Sequence, residues 1–254
     1  MFRRWAALVI TLLTLGAVLV TVAPRAEANR LAQGVIVNPD PVDYTPHIRN
    51  GHVEAIASAG DRVIVGGTFT SVQETGTWTI YTRSYLFAFD RNTGQLDQAF
   101  VPTLNGKVTT LQTSPDGLSV YVGGSFTLVN GVATYGIAKL DLATGQLVPG
   151  FAANAPGTVR DLALANGKVY LGGDFWSVNG VPRTRLAAVD ALTGTVDPTF
   201  TVSTTAPRVN QDWVDELDIS PDGTEMVIIG NFLAVDGLPE RRSPASISPV
   251  RPPR

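Results

Sequence analysis

Apolar residues recur along this chain in short alternating runs, and Gly, Pro, Asn and Asp separate the runs. Alternation with period two marks half-buried β-strands, and the breaks mark turns. The runs "VIVGGTF", "VYVGGSF", "VYLGGDF" and "VIIGNF" end at Phe69, Phe126, Phe175 and Phe232, spaced 57, 49 and 57 residues apart. A second string, "FDRNTGQLD", "LDLATGQLV" and "VDALTGTVD", places an Asp at 90, 141 and 190. A third marker, V-x-x-[IL], precedes each glycine strand as Val53/Ile56, Val108/Leu111, Val159/Leu162 and Val214/Leu217. Three ordered markers at one period define a repeat of about fifty residues.

Each repeat predicts four strands. In the second unit, the first strand is "VTTLQTS", and "SPDG" at 114–117 turns the chain, as it does again at 220–223. Pro presets φ there, Asp bonds the local backbone, and Gly accepts positive φ. The second strand is "SVYVGGSFTLV". Asn130-Gly131 and Asn179-Gly180 are hairpin turns. The third strand is "GIAKLD" or "RLAAVD", and Asp-x-x-Thr-Gly turns the chain into a fourth that ends at Phe100, Phe151 or Phe200. Four strands in about fifty residues, repeated, is the pattern of propeller blades. The glycine pair inside the second strand predicts close approach by another backbone or a large side chain. The Phe that follows is expected to pack between neighbouring blades. The expected fold class is all-β, a propeller-like array of four-stranded blades.

The string "GGDFWSVNGVPRTRLAAVDALTGTVDPTF", residues 172–200, resembles the repeat of bacterial secreted delta-sixty-type β-propeller proteins, a domain of unknown function. It is also similar to the propeller of fungal cell-surface cortical markers. The resemblance covers roughly residues 52–240. It implies a propeller and no assigned activity. Asp-x-x-Thr-Gly also resembles quinoprotein propeller repeats, which place a Trp soon after the Gly. Here "QLDQAF", "QLVPGF" and "TVDPTF" lack it, which argues against a quinone.

The units run from about 52–107, 108–157, 158–207 and 208–240. The fourth breaks off after "GNFLAVDG" into "LPERRSPASISPVRPPR", so 241–254 reads as an irregular Pro/Arg-rich tail. Pro cannot donate to a sheet ladder, so the tail should hold no central strand. About three and a half blades result, an incomplete or open array. The expectation is a piece of a longer propeller, or closure by self-association through unpaired blade edges. "GVIV" at 34–37 is a further strand candidate within a lead-in segment, 29–51.

Residues 1–28 read as a secretory signal peptide. Arg3 and Arg4 precede an uncharged apolar run from Trp5 to Ala23, and Ala26-Glu27-Ala28 offers a small-residue cleavage site. An uncleaved membrane anchor is the alternative. Secreted or cell-surface localisation follows, with a mature chain that does not span the membrane. No Cys is present, which excludes disulfides and thiolate chemistry. Of 19 basic and 22 acidic residues, cleavage removes three Arg and one Glu and leaves a net charge of −5. That balance argues against a nucleic-acid partner.

Catalytic motifs are missing: no nucleophile elbow, phosphate loop or dinucleotide fingerprint occurs. His47 and His52 are expected in a solvated loop before the first blade. Asp212, Asp215, Glu216 and Asp218 offer hard oxygen donors at short spacing, so Ca²⁺ is the one cofactor considered; otherwise none is expected. Strand alternation would split these carboxylates between two faces. Asp97 and Asp197 align, but Val148 stands at their place in the middle unit.

Unit length differs at two places, 73–84 and 201–213. Both surpluses are expected on one face of the array, carrying Trp78, Tyr81, Arg83, Arg208, Asn210 and Trp213 as a binding face. The resulting reading is a non-enzymatic module that binds protein or glycan. The alternative is an extracellular hydrolase or lyase acting on a polymer, with Asp212 or Asp215 in acid–base roles.

Overall fold

The computed structural model describes residues 42–205 and 212–239, and the backbone of 246–249. The signal segment, "GVIV", Arg208 and Asn210 lie outside the described residues. One unit spans 42–254. Its described residues form antiparallel strands with no helix, and none is a helix long and apolar enough to cross a membrane.

The repeat folds into four blades. The first strands are Val53–Ala59, Val108–Thr113, Val159–Ala165 and Trp213–Ile219. The second strands are Arg62–Gly67, Ser119–Gly124, Lys168–Gly173 and Glu225–Asn231. The third strands are Leu86–Asp90, Ile137–Asp141, Leu186–Asp190 and Ser246–Pro249. In every blade the second strand lies between the other two. Consecutive first strands adjoin one another along the array.

The fourth strand expected of each of the first three blades is reduced to one antiparallel bridge: Phe89 with Leu96, Leu140 with Leu147, Val189 with Val196. Chain chemistry explains the shortening. Asp97 Oδ1 accepts the Ala99 and Phe100 N–H groups at 2.9 and 3.1 Å, which bends the chain out of the ladder. Asp197 does the same to Thr199, beside Pro198, which has no N–H to give. The tail reading is corrected at Ser246–Pro249, which pairs with Glu225–Ile228 as the third strand of the fourth blade. This is an edge position, where Pro is tolerated.

The second strand does not run through to the Asn-Gly turn. It ends at the glycine pair, and the chain folds back into a separate small hairpin, Leu128–Val129 with Val132–Ala133 in the second blade. Asn130 and Gly131 have φ of +50° and +78°, and Asn179 and Gly180 +52° and +75°. Two positive φ values in sequence are what a right-twisted hairpin requires. Asn130 also accepts from the Thr103 N–H at 2.8 Å and donates to the Gly145 carbonyl at 2.9 Å. The "VNG" string therefore pins the hairpin to the incoming linker and to the Thr-Gly turn. In that turn Asp141 Oδ1 accepts the Ala143 and Thr144 N–H groups and the Thr144 hydroxyl.

The glycine pair has two distinct jobs. A Cβ on Gly67 would lie 2.0 Å from the His52 carbonyl oxygen, so the second glycine admits the blade's own backbone. A Cβ on Gly66 would lie 2.4 Å from Val108 Cγ1, so the first glycine admits the next blade. Gly123 and Gly172 receive the following blades in the same way. The core between blades is apolar. Phe126 packs with Ile64, Phe100 and Val108, and Phe175 with Tyr121, Ile137 and Val159, so each sits between neighbours as expected. Phe69, in the first blade described, packs inside its own blade, edge-on to Phe87 at 5.3 Å.

The repeat starts earlier than the V-x-x-[IL] marker. His47–Ile48 pairs with Val72–Gln73. Asn50 Oδ1 accepts the Thr70 and Ser71 N–H groups, as Asn105 Oδ1 accepts those of Thr127 and Leu128. His47 thus belongs to a strand of the first blade, and the His52 N–H donates to Thr68 Oγ1 at 2.9 Å. Only His47 departs from the expected loop; His52 stands exposed just before the first strand.

Candidate functional site

All four first strands carry a β-bulge at one position, between Val53 and Ala55, Val108 and Thr110, Val159 and Asp161, and Val214 and Glu216. A bulge adds a residue, breaks the alternation and re-aims side chains. The bulged residues are Glu54, Thr109, Arg160 and Asp215. With Lys107 and Ile229 they help line a cavity of about 870 Å³ bordered by the first strands of all four blades. These are the variable letters inside the constant V-x-x-[IL] marker. Their variation within a fixed frame was the signal available in the sequence.

Arg160 is the centre of this mouth. Its guanidinium reaches Asp215 at 3.1 Å and Asp174 at 3.6 Å. It also lies 5.5 Å above the Trp213 ring. The Trp213 Nε1–H donates to Asp215 Oδ2 at 2.8 Å. A cation over an indole, tied by a shared carboxylate, holds all three side chains in place. Lys107 faces Glu54 at 3.5 Å on the other side of the mouth. Asp161 serves the frame: it accepts the Thr110 hydroxyl of the second blade at 3.0 Å and the Leu217 N–H of the fourth at 2.9 Å.

Behind the mouth, Arg185 and Asp212 form a buried ion pair. Asp212 Oδ1 accepts from Arg185 Nε at 2.9 Å and its Oδ2 from Thr204 Oγ1 at 3.1 Å. Arg185 also donates to the Asp174 carbonyl. Trp176, half exposed, stacks on the guanidinium at 3.8 Å.

The expected acidic cluster is not one site. Asp212 points inward to Arg185, Asp215 to Arg160 and Trp213, and Asp218 accepts the N–H of Ile219. The bulge at Asp215 leaves both Asp215 and Glu216 exposed, so alternation does not separate them. Among the described residues, no group of three His, Asp or Glu side chains converges as a metal site would.

The expected binding face also divides. Because the hairpin folds back, the 73–84 surplus points away from the mouth. Its Glu74 accepts the Leu96 N–H at 3.0 Å, and Thr75 lies against Gly94, both at the Thr-Gly end of the blade. Trp78, 95% exposed, is at that far end, whereas Trp213 is at the mouth. Arg83 is buried under Tyr81, 5.3 Å from its ring, and donates to Gln98 Oε1 at 2.7 Å. Burial pulls its pKa below the ordinary guanidinium value, and Tyr81 and Asp97 oppose the shift. Arg183 repeats the arrangement in the third blade, donating to the carbonyls of Pro182 and Asp197. Arg83 therefore braces its blade from within. The structure brings Trp213 together with Arg160, Asp174 and Asp215, three residues that sequence reasoning passed over or read only as carboxylates. It passed over Trp176 as well, the one aromatic letter that distinguishes "GGDFWSVNG" from "GGSFTLVNG".

Repeated blades with adjoining first strands, left unclosed, define a β-propeller repeat protein. Residues 164–200 match a family described as "Domain of unknown function (DUF5122) beta-propeller". The chain is similar to the computationally designed Ika4 protein, at 15% identity over 79% of this chain and 92% of that one, with a TM-score of 0.45. It is also similar to the computationally designed Ika8 protein, at 18% identity over 71% of this chain and 43% of that one, TM-score 0.41. A third similarity is to the Pan2 WD40 domain of Neurospora crassa, at 13% identity over 71% of this chain and 60% of that one, TM-score 0.40. No curated protein matches the chain.

Proposed function

We propose that this protein is a secreted or cell-surface binding module that takes a protein or glycan at the axial mouth. The observation that carries this reading is the shared bulge, which turns four otherwise structural strands into carriers of Glu54, Thr109, Arg160 and Asp215 around one cavity. Repeat scaffolds vary at the positions that meet ligand and keep the rest. Paired charges beside partly exposed indole rings are the chemistry of a polar, planar-group recognition site. The secretory character of residues 1–28 supports an extracellular setting.

Acid–base catalysis has little support from the same residues. Both oxygens of Asp212 are occupied in the interior, and Asp215 is bonded to Arg160 and Trp213. The test is a screen of the purified chain against immobilised extracellular polysaccharides and a displayed peptide library. Hits should weaken at least tenfold in R160A and W213A. Equal binding by the wild type and both variants would sink the axial site.

A further inference from the structure

Three interfaces inside the chain are built alike. Val108 and Leu111, Val159 and Leu162, and Val214 and Leu217 lie against the preceding blade, and each of these six residues is buried. Each set seats over a glycine of that blade's second strand: Gly66, Gly123 or Gly172. The fit leaves no room for a side chain there. A Cβ would lie 2.4 Å from Val108 Cγ1 at Gly66, 3.0 Å from Val159 Cγ1 at Gly123, and 2.8 Å from Val214 Cγ1 at Gly172.

The first blade carries the same face, and among the described residues no blade packs on it. Val53 is 42% exposed and Ile56 67%. The linker before it is ordered as in the other blades, with Asn50 in the role of Asn105. The opposite end of the array lacks the matching seat. In the ladders, Gly66 pairs with Ala55, Gly123 with Thr110, and Gly172 with Asp161. The residue paired with Glu216 at this place in the fourth blade is Ile229, 40% exposed. Where a single Cβ already overlaps, an isoleucine excludes a V-x-x-[IL] strand at the internal spacing.

We propose that the Val53–Ile56 face of the first blade is a docking surface for a blade of the same repeat type on another polypeptide, one with glycine at the Gly66 place. Ile229 denies that surface to the fourth blade of this chain and to that of a second copy. The three internal interfaces define what fits: a sheet face with glycine in its second strand. A side chain that fills the seat of an end blade stops head-to-tail growth of a repeat array.

The experiment uses two versions of the purified chain. One is wild type, with its docking face intact and its tail blocked. The other is V53D/I229G, with its face blocked and its tail opened. Each alone should sediment at single-chain mass, and an equimolar mixture should give a species of twice that mass. I56D in the first component should abolish the species, and I229A in place of I229G should give none. Absence of the species from a mixture of two folded chains, judged by circular dichroism, overturns the proposal. So does a wild type that already self-associates and is dispersed by I56D. Should V53D/I229G not fold, I56D in the otherwise native chain decides. An unchanged melting temperature and reduced hydrophobic-dye binding support a bare docking face. A fall in melting temperature like that of L111D means the face is already packed, and the proposal fails.

Discussion

Arg185 and Asp212 are buried against each other across the junction of the third and fourth blades, and Trp176 covers the guanidinium. Breaking such a pair leaves an uncompensated charge in the interior, which costs more than the pair contributes. D212A should therefore destabilise the protein by about 3–5 kcal/mol in denaturant titrations. R185M/D212L removes both charges and should recover most of that loss. If D212A unfolds at the wild-type midpoint, the pair is not what joins these blades.

Gly66 and Val108 make the first blade junction. G66A places a methyl 2.4 Å from Val108 Cγ1 and should cost about 1–3 kcal/mol by overpacking. V108A costs stability by itself, but in the double variant it removes the 2.4 Å contact and leaves the residue-108 Cβ at 3.0 Å. The coupling energy from the four-variant cycle should favour the double variant by at least about 1 kcal/mol. Additive costs would mean the two residues do not meet.

Lys168 and Asp197 tie the second strand of the third blade to its shortened fourth segment. Burial alone would raise the Asp197 pKa, but the Lys168 ammonium and the Thr199 donors outweigh it and hold it at about 2 against an ordinary 3.8. The Lys168 pKa is raised, chiefly by its bond to Asp197. A depressed carboxylate stabilises above its unfolded pKa, and the contribution fades as pH falls from 3.8 through about 2. A raised ammonium stabilises below its unfolded pKa of 10.5 and fades above it. D197N should therefore cost about 1 kcal/mol at pH 7, discounted for the partly exposed lysine. The gap between wild type and variant should narrow below pH 4 and above pH 10. A gap that stays constant at pH 2 would show the stabilisation is not ionic.

Trp78 and Trp213 both stand in length surpluses, yet they lie toward opposite ends of the blades. W78A should leave the melting temperature and partner binding unchanged. R83A, which removes a buried brace, should lower the melting temperature and leave binding per folded molecule intact. A loss of binding in W78A would relocate the site to the Thr-Gly end.

The repeat, its period and its turns were legible because they rest on local chemistry. Asp90, Asp141 and Asp190 close their turns with bonds two and three residues ahead, and Gly94, Gly145 and Gly194 follow at φ near +70°. Such contacts leave a pattern at fixed offsets in any single strand of text. The glycine pair predicted close approach and could not say by what: Gly66 meets the next blade, and Gly67 its own backbone.

What the sequence determined by itself was the all-β class and the blade as repeating unit. What only the tertiary structure decided was which variable letters meet. The bulge at Asp215 cancels the alternation that sequence reasoning relied on, and the folded-back hairpin carries Trp78 away from Trp213. Arg160, Asp174, Trp213 and Asp215 come from the first strands of two blades and the bend after a second strand, so no spacing along the chain connects them. Turns are written by neighbours in sequence. A binding mouth is written by strands that become neighbours only when blade packs on blade.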